Sequence, residues 1–211
     1  MEKILRYSRD QVKQDTPYNC CPASAQTIIL AATGVMVSEF ELGRALQTHT
    51  GGTDWIGQVP AVLNHYMPGA QYRHVEMPND PPTPAQRERL WSDLTHSIDK
   101  GYGVLANIVA PTSNYPRAVA PSTISPKYAG GTVYHYIAIM GYAGEGRDRR
   151  VWVADSGFWP YGYWLSFDQL ATLIPPKGIC LERMMITLGA LTAALISLIE
   201  FLLKELAPHH D

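Results

Sequence analysis

Apolar positions in the first half of the chain recur at helical spacing, whereas those in the second half run in β-branched and aromatic stretches. Cys21, Ala25, Ile28 and Ala32 fall on one stripe and predict a helix from about 20 to 33, stopped by Gly34. Ser38 with Glu41 three residues later has the form of a capping box and opens a second short helix to about Gln47. The run Gly51-Gly-Thr-Asp54 reads as a loop and N-cap for a third helix, on which Trp55, Val59, Val62, Leu63 and Tyr66 share a face. A short strand is expected from Tyr72 to Met77. After a proline-rich linker at 78–84, Thr83 as cap and Pro84 as first helical residue start a helix that runs to Lys100 and ends at Gly101. Beyond it the period changes. Val104–Val109, Val133–Tyr142 and Val151–Asp155 predict strands, separated by a Pro/Ser/Tyr-rich loop at 110–131 and by the charged turn at 144–150. Helices first and strands second predict an α+β domain.

Composition bounds what such a domain does. The 211 residues suffice for one ordinary domain with an appendage, and 46% hydrophobic against 17% charged residues argues for a packed core. Seventeen basic and nineteen acidic side chains leave a net charge of −2, with no concentrated Lys/Arg footprint, so nucleic acid is not an expected partner. Three cysteines make no closed disulfide framework, and Cys20 and Cys21 are adjacent, which favours folding in a reducing compartment. His49, His65, His74 and His96 lack zinc-ligand spacing, and no metal or other cofactor is expected. The amino terminus offers no apolar signal core.

Near the carboxyl end, Met184 to Ile199 are sixteen residues without a charge. As a helix they span about 24 Å against a bilayer core of about 30 Å, and extending through Leu203 reaches that thickness. Leu181, Met184, Leu188, Leu191, Leu195, Leu198 and Leu202 also follow alternating steps of three and four, the seam of a coiled coil. Residues 180–206 are therefore expected as a hydrophobic helix that contacts a membrane, self-associates or docks on its own domain, with the catalytic domain at 1–176.

The candidate chemistry gathers on a thiol. A helix amino terminus lowers a thiol pKa, and Cys20 stands at one. Cys21 continues the apolar stripe and is assigned to the core, leaving Cys20 to face whatever lies opposite. A thiolate needs an imidazole, and the imidazole an acceptor that orients it. If the strands at 133–142 and 151–155 form an antiparallel hairpin, residues opposite one another have numbers adding to roughly 290–293, which brings His135 near Asp155. Gln14, six residues before Cys20, is placed to add an N–H to an oxyanion hole. The run Phe158-Trp-Pro-Tyr-Gly-Tyr-Trp164 either lines a cleft near Asp155 or caps the sheet, and Gly51–Asp54 is either loop punctuation or a substrate rim.

Gln14-Asp-Thr-Pro-Tyr-Asn-Cys20-Cys-Pro-Ala-Ser, then His135-Tyr-Ile-Ala-Ile-Met-Gly-Tyr, then Val153-Ala-Asp155 resembles the papain-like peptidases that remove bacteriocin double-glycine leaders, and among their relatives the peptidase domains of lysins from mycobacteriophages. The resemblance covers roughly residues 10 to 175. It implies a papain-like cysteine peptidase fold, Cys20 as nucleophile, His135 as general base and acid, Asp155 as orienting carboxylate and Gln14 as oxyanion donor. Cys21 departs from the pattern, standing where relatives have Gly. Likeness to the lysins implies a peptidoglycan substrate cut during host lysis, with synthesis in the host cytoplasm and action at the membrane or wall. Two other expectations stand beside it, a leader-processing peptidase and a membrane-associated or oligomeric module with a degenerate peptidase head.

Overall fold

A computed structural model describes residues 1–182. The elements are β1 (Glu2–Ile4), α1 (Cys20–Thr33), α2 (Glu39–Ala45), α3 (Val59–Tyr66), β2 (Arg73–Glu76), α4 (Pro84–Asp99), β3 (Val104–Ala110), β4 (Val133–Ala143), β5 (Arg150–Ala154), β6 (Gly162–Ser166), α5 (Phe167–Leu173) and β7 (Gly178–Leu181). The seven strands make one antiparallel sheet in the order β2-β7-β3-β4-β5-β6, and β1 pairs with the far end of β4.

The expected helices form where the local signals place them. Gly34 ends α1 in the left-handed conformation at φ 73°, a backbone state that costs glycine little. Ser38 accepts from the Glu41 N–H at the start of α2, and Thr83 with Gln86 completes a capping box at the start of α4. The third helix departs from expectation. Asp54 does not cap it. A 3-10 turn begins at Ile56 with Trp55 in the cap position, and the Trp55 ring lies at the surface, edge-on to His74 and donating to Glu76.

Two cores flank the sheet. On one face α1, α2 and α3 pack through Ile28, Ile29, Leu42 and Leu63 onto Leu105, Ala138, Met140 and Cys180. On the other, α4 and α5 pack through Leu90, Leu94, Phe167 and Leu170 onto Ala106, Ile108, Ile137, Ile139, Val153 and Leu181. Successive residues of a strand face opposite cores, so β3, β4 and β5 are apolar on both sides. That double burial explains why they read as continuous apolar runs although the sheet is antiparallel, an arrangement that more often alternates. α1 is similarly buried over most of its surface and is tied to β4 by Ser24 Oγ donating to the Tyr136 carbonyl at 3.1 Å.

One close approach in the sheet depends on glycine. β4 carries a register shift between Ile139 and Gly141, opposite β5. A Cβ at Gly141 would lie 2.6 Å from the Lys3 carbonyl oxygen, so glycine there admits β1 alongside β4 beyond the point where β3 ends.

The sequence boundary near residue 176 is corrected by β7. Cys180 and Leu181, expected at the start of an apolar helix, are strand residues that pair with His74 and Arg73 of β2, and Cys180 also with Leu105 of β3. Both side chains are fully buried, one in each core. A helix there would leave the facing edges of β2 and β3 without partners. The remaining seam positions Leu188, Leu191, Leu195, Leu198 and Leu202, with the rest of the 184–203 run, lie outside the described residues. Among the described residues, no helix is long and apolar enough to cross a membrane.

A chain truncated after Pro176 is therefore expected to lose cooperative thermal unfolding, because it discards a strand paired on both sides, whereas one truncated after Glu182 retains it. Circular dichroism melts of the two check this.

Candidate active site

The cleft lies where the amino terminus of α1 meets the starts of β4 and of the loop after β5. Cys20 is the first residue of α1. Its cap residue Asn19 makes no side-chain capping bond, and no acidic residue lies in the first turn, so the positive end of the helix is not neutralised locally. Cys20 is 8% exposed, and that surface lies in the cleft, whereas Cys21 points into the core at 0%.

β4 delivers the imidazole and β5 the carboxylate. The hairpin pairs Ala138 with Ala154 and Ile139 with Val153, within the expected register window. His135 Nε2 and Asp155 Oδ1 are 2.9 Å apart, both buried. With Nε2 committed to the carboxylate, Nδ1 is the ring nitrogen left for the sulfur, and the Cys20 and His135 side chains line the same cleft.

Electrostatics follow from these contacts. Burial opposes a charge on Cys20. The hydrogen bond and charge of His135, with the backbone of Tyr136 and Cys21, outweigh it and hold the thiol below its ordinary value. Burial likewise opposes charge on His135, but the Asp155 carboxylate, with the Cys20 thiolate, raises the imidazole to about 10. Cys21 and Cys180 have no such partner, and burial pushes both thiols well up. The shifts run in opposite directions, thiol down and imidazole up, the sense that favours a thiolate–imidazolium pair.

Gln14 sits beside this pair without entering the cleft lining. Its backbone N–H donates to the Ser156 carbonyl at 3.0 Å and its Oε1 accepts from Ser156 Oγ at 3.0 Å. One Nε2 proton goes to the Thr16 carbonyl at 2.7 Å, leaving the second. The segment after Gln14 is anchored by buried Glu39, whose carboxylate accepts the Asp15 N–H at 3.0 and 3.2 Å.

Tyr128 carried no signal in the sequence, whereas Phe158 and Tyr163 lie in the aromatic run left open between cleft and sheet. Tyr128, in the loop between β3 and β4, and Tyr163, in β6, donate to Asp155 Oδ2. Phe158 stacks on Tyr128 with centroids 3.8 Å apart and meets His135 edge-on at 5.3 Å, roofing the imidazole. The aromatic run thus serves in pieces, Phe158 at the site and Tyr163 within the sheet. Gly157 passes so near that a Cβ would lie 2.9 Å from His135 Cε1 and 3.2 Å from Gln14 Oε1.

The cleft holds about 280 Å³. Thr50–Asp54 form one wall, so this loop is more than punctuation. Asn107, Tyr134, Tyr136 and Lys177 contribute the remainder, with Pro17 and Tyr18 beside the sulfur. The wall is anchored by a 2.7 Å hydrogen bond between the Thr48 and Thr53 hydroxyls and by Tyr136 donating to the Thr53 carbonyl at 3.2 Å. Among the described residues, no group of three or more His, Cys, Asp or Glu is arranged to hold a metal ion.

The model of a family described as "Peptidase_C39 like family" matches residues 6–170. No curated protein matches the chain. Among solved structures, the chain is similar to the peptidase domain of Streptococcus ComA, a bi-functional ABC transporter involved in a quorum sensing pathway. Identity is 11% and the TM-score 0.43, over 81% of this chain and 96% of that one. It is also similar to digestive procathepsin L2 proteinase from Tenebrio molitor larval midgut, at 14% identity and a TM-score of 0.46, over 85% of this chain and 67% of that one.

The three thiols should separate in reactivity. Iodoacetamide is expected to alkylate Cys20 well below pH 9, as the thiolate forms above the lowered thiol pKa, and to spare Cys21 and Cys180 in the folded protein. His135→Ala removes the imidazolium that stabilises the thiolate, so the rate at pH 6 should fall by at least about tenfold. Peptide mapping by mass spectrometry checks both outcomes.

Proposed function

Because the chain belongs to the Peptidase_C39 like family and is a cysteine peptidase, we propose that Cys20 is its nucleophile, His135 its general base and acid, Asp155 the carboxylate that orients the imidazole, and Gln14 an oxyanion donor. The observation that carries this reading is the convergence of Cys20 and His135 on one cleft, with Asp155 2.9 Å from the imidazole, from three distant segments. The Cys20 thiolate attacks the scissile carbonyl carbon. Negative charge gathers on the carbonyl oxygen, to which the Cys20 backbone N–H and the second Nε2 proton of Gln14 donate. His135 donates its Nδ1 proton to the departing amine, leaving a thioester on Cys20. It then takes a proton from water as the hydroxide attacks that thioester, and the acid product leaves with the thiolate restored. Throughout, Asp155 holds the Nε2 proton and fixes the ring.

The substrate we propose is the peptide part of bacterial peptidoglycan, cut by a phage lysin during release of progeny. Two features support it. The order and spacing of Gln14, Cys20, His135 and Asp155 resemble those of mycobacteriophage lysin peptidase domains. The cleft, walled by Thr50, Gly51, Gly52, Thr53 and Asp54 with Asn107 and Lys177, suits the small and charged residues of peptidoglycan stem peptides. In this reading the protein is made in the host cytoplasm and acts at the membrane or wall, and its apolar carboxyl-terminal run contacts a membrane or a second copy. Cleavage after two glycines in a leader peptide is the second reading, supported by the family match and by the same small-residue cleft wall.

Purified mycobacterial-type cell walls are expected to lose turbidity with the wild-type protein and not with Cys20→Ala, at least a thousandfold difference in rate. Cleavage of a double-glycine leader peptide with walls left intact would instead select the second reading. Full-length protein is expected to elute from size exclusion as a larger species than the chain ending at Glu182, or to need detergent. A monomer in plain buffer would remove both the membrane and the self-association roles.

A further inference from the structure

We propose that Tyr128 and Tyr163 are positioning residues, whose two hydroxyls fix the rotation of the Asp155 carboxylate and through it the orientation of His135. The inference rests on the roles proposed above for His135 and Asp155.

Asp155 is wholly buried and accepts five hydrogen bonds. Oδ1 takes His135 Nε2 at 2.9 Å, the Gly157 N–H at 3.1 Å and the Phe158 N–H at 3.2 Å. Among the described residues, Oδ2 takes the hydroxyls of Tyr128 at 2.8 Å and Tyr163 at 2.9 Å. A carboxylate offers acceptors alone, so each phenol must donate. Burial and then the Asp155 charge push both phenols well above their ordinary value, which keeps them protonated wherever the peptidase works. The division of labour is clean: the nitrogen donors fix one oxygen, the hydroxyls the other, and together they remove the rotation that would turn Oδ1 away from the imidazole. The titratable groups facing Asp155 are His135 from β4, Tyr128 from the β3–β4 loop and Tyr163 from β6, with Cys20 of α1 across the imidazole.

A purely structural account would credit the rings alone, since Tyr128 stacks on Phe158 and Tyr163 is fully buried in the sheet. Tyr→Phe separates the two, because it keeps each ring and deletes only the hydroxyl. Losing a hydroxyl that holds Oδ2 frees the carboxylate to turn, and an imidazole no longer held by Oδ1 supports the thiolate less.

The test is the pH profile of Cys20 alkylation by iodoacetamide, which needs no knowledge of the substrate. Its acid limb is expected to move upward by on the order of one pH unit in Tyr128→Phe or Tyr163→Phe, and further in the double variant. Asp155→Asn sets the limit of the shift. Acid limbs identical to wild type in both single variants, whatever happens to their melting temperatures, would overturn the positioning role alone. A wild-type profile in which Cys20 behaves as an ordinary thiol would overturn the catalytic assignment and this role with it. If the double variant does not fold, as circular dichroism would show, the single variants decide the outcome.

Discussion

A carboxylate with no access to water loses most of its hydration energy, and a fold tolerates one only by replacing that hydration with directed donors. Asp155 shows what the replacement requires. The donors come from β4, the loop after β5, β6 and the long segment between β3 and β4. Each of those pieces is held by other contacts: Asp155 itself donates its N–H to the Tyr161 carbonyl, and the β3–β4 segment lies along β6 through Val119 and Trp164. The imidazole, the thiolate beyond it and the aromatic roof above are arranged around this one buried charge.

Much of this was legible beforehand, for a physical reason. α1, α2 and α4 announce themselves through caps, a stop glycine and helical spacing, which are local signals. The meeting of His135 with Asp155 followed from hairpin register, because an antiparallel pair is arithmetic once its turn is found. What stayed hidden depends on partners remote in sequence. β1 has three residues and β7 four, too short to carry a period, and β7 is a strand because β2 and β3 flank it. Its apolar residues therefore blended into the apolar run that follows. Tyr128 and Tyr163 were two of twelve tyrosines, and only the folded chain turns their hydroxyls toward one oxygen.

The cleft wall shows the same limit from another side. Gly51 and Gly52 in sequence fit either loop punctuation or a substrate rim, since loop chemistry and substrate-facing chemistry use the same residues. Its role is visible only once Thr53 is pinned by Thr48 and Tyr136 beside Cys20. Gly157 is a further case, where the absence of a side chain leaves room for the imidazole edge.

The placement of β7 bears on how the protein comes into being. The strand synthesised last among the described elements is inserted between two made much earlier, and Lys177, just ahead of it, belongs to the cleft. An interior position of the sheet therefore stays unfilled until the chain has been made through residue 181, and the side of the cleft to which Lys177 contributes is completed by the same strand.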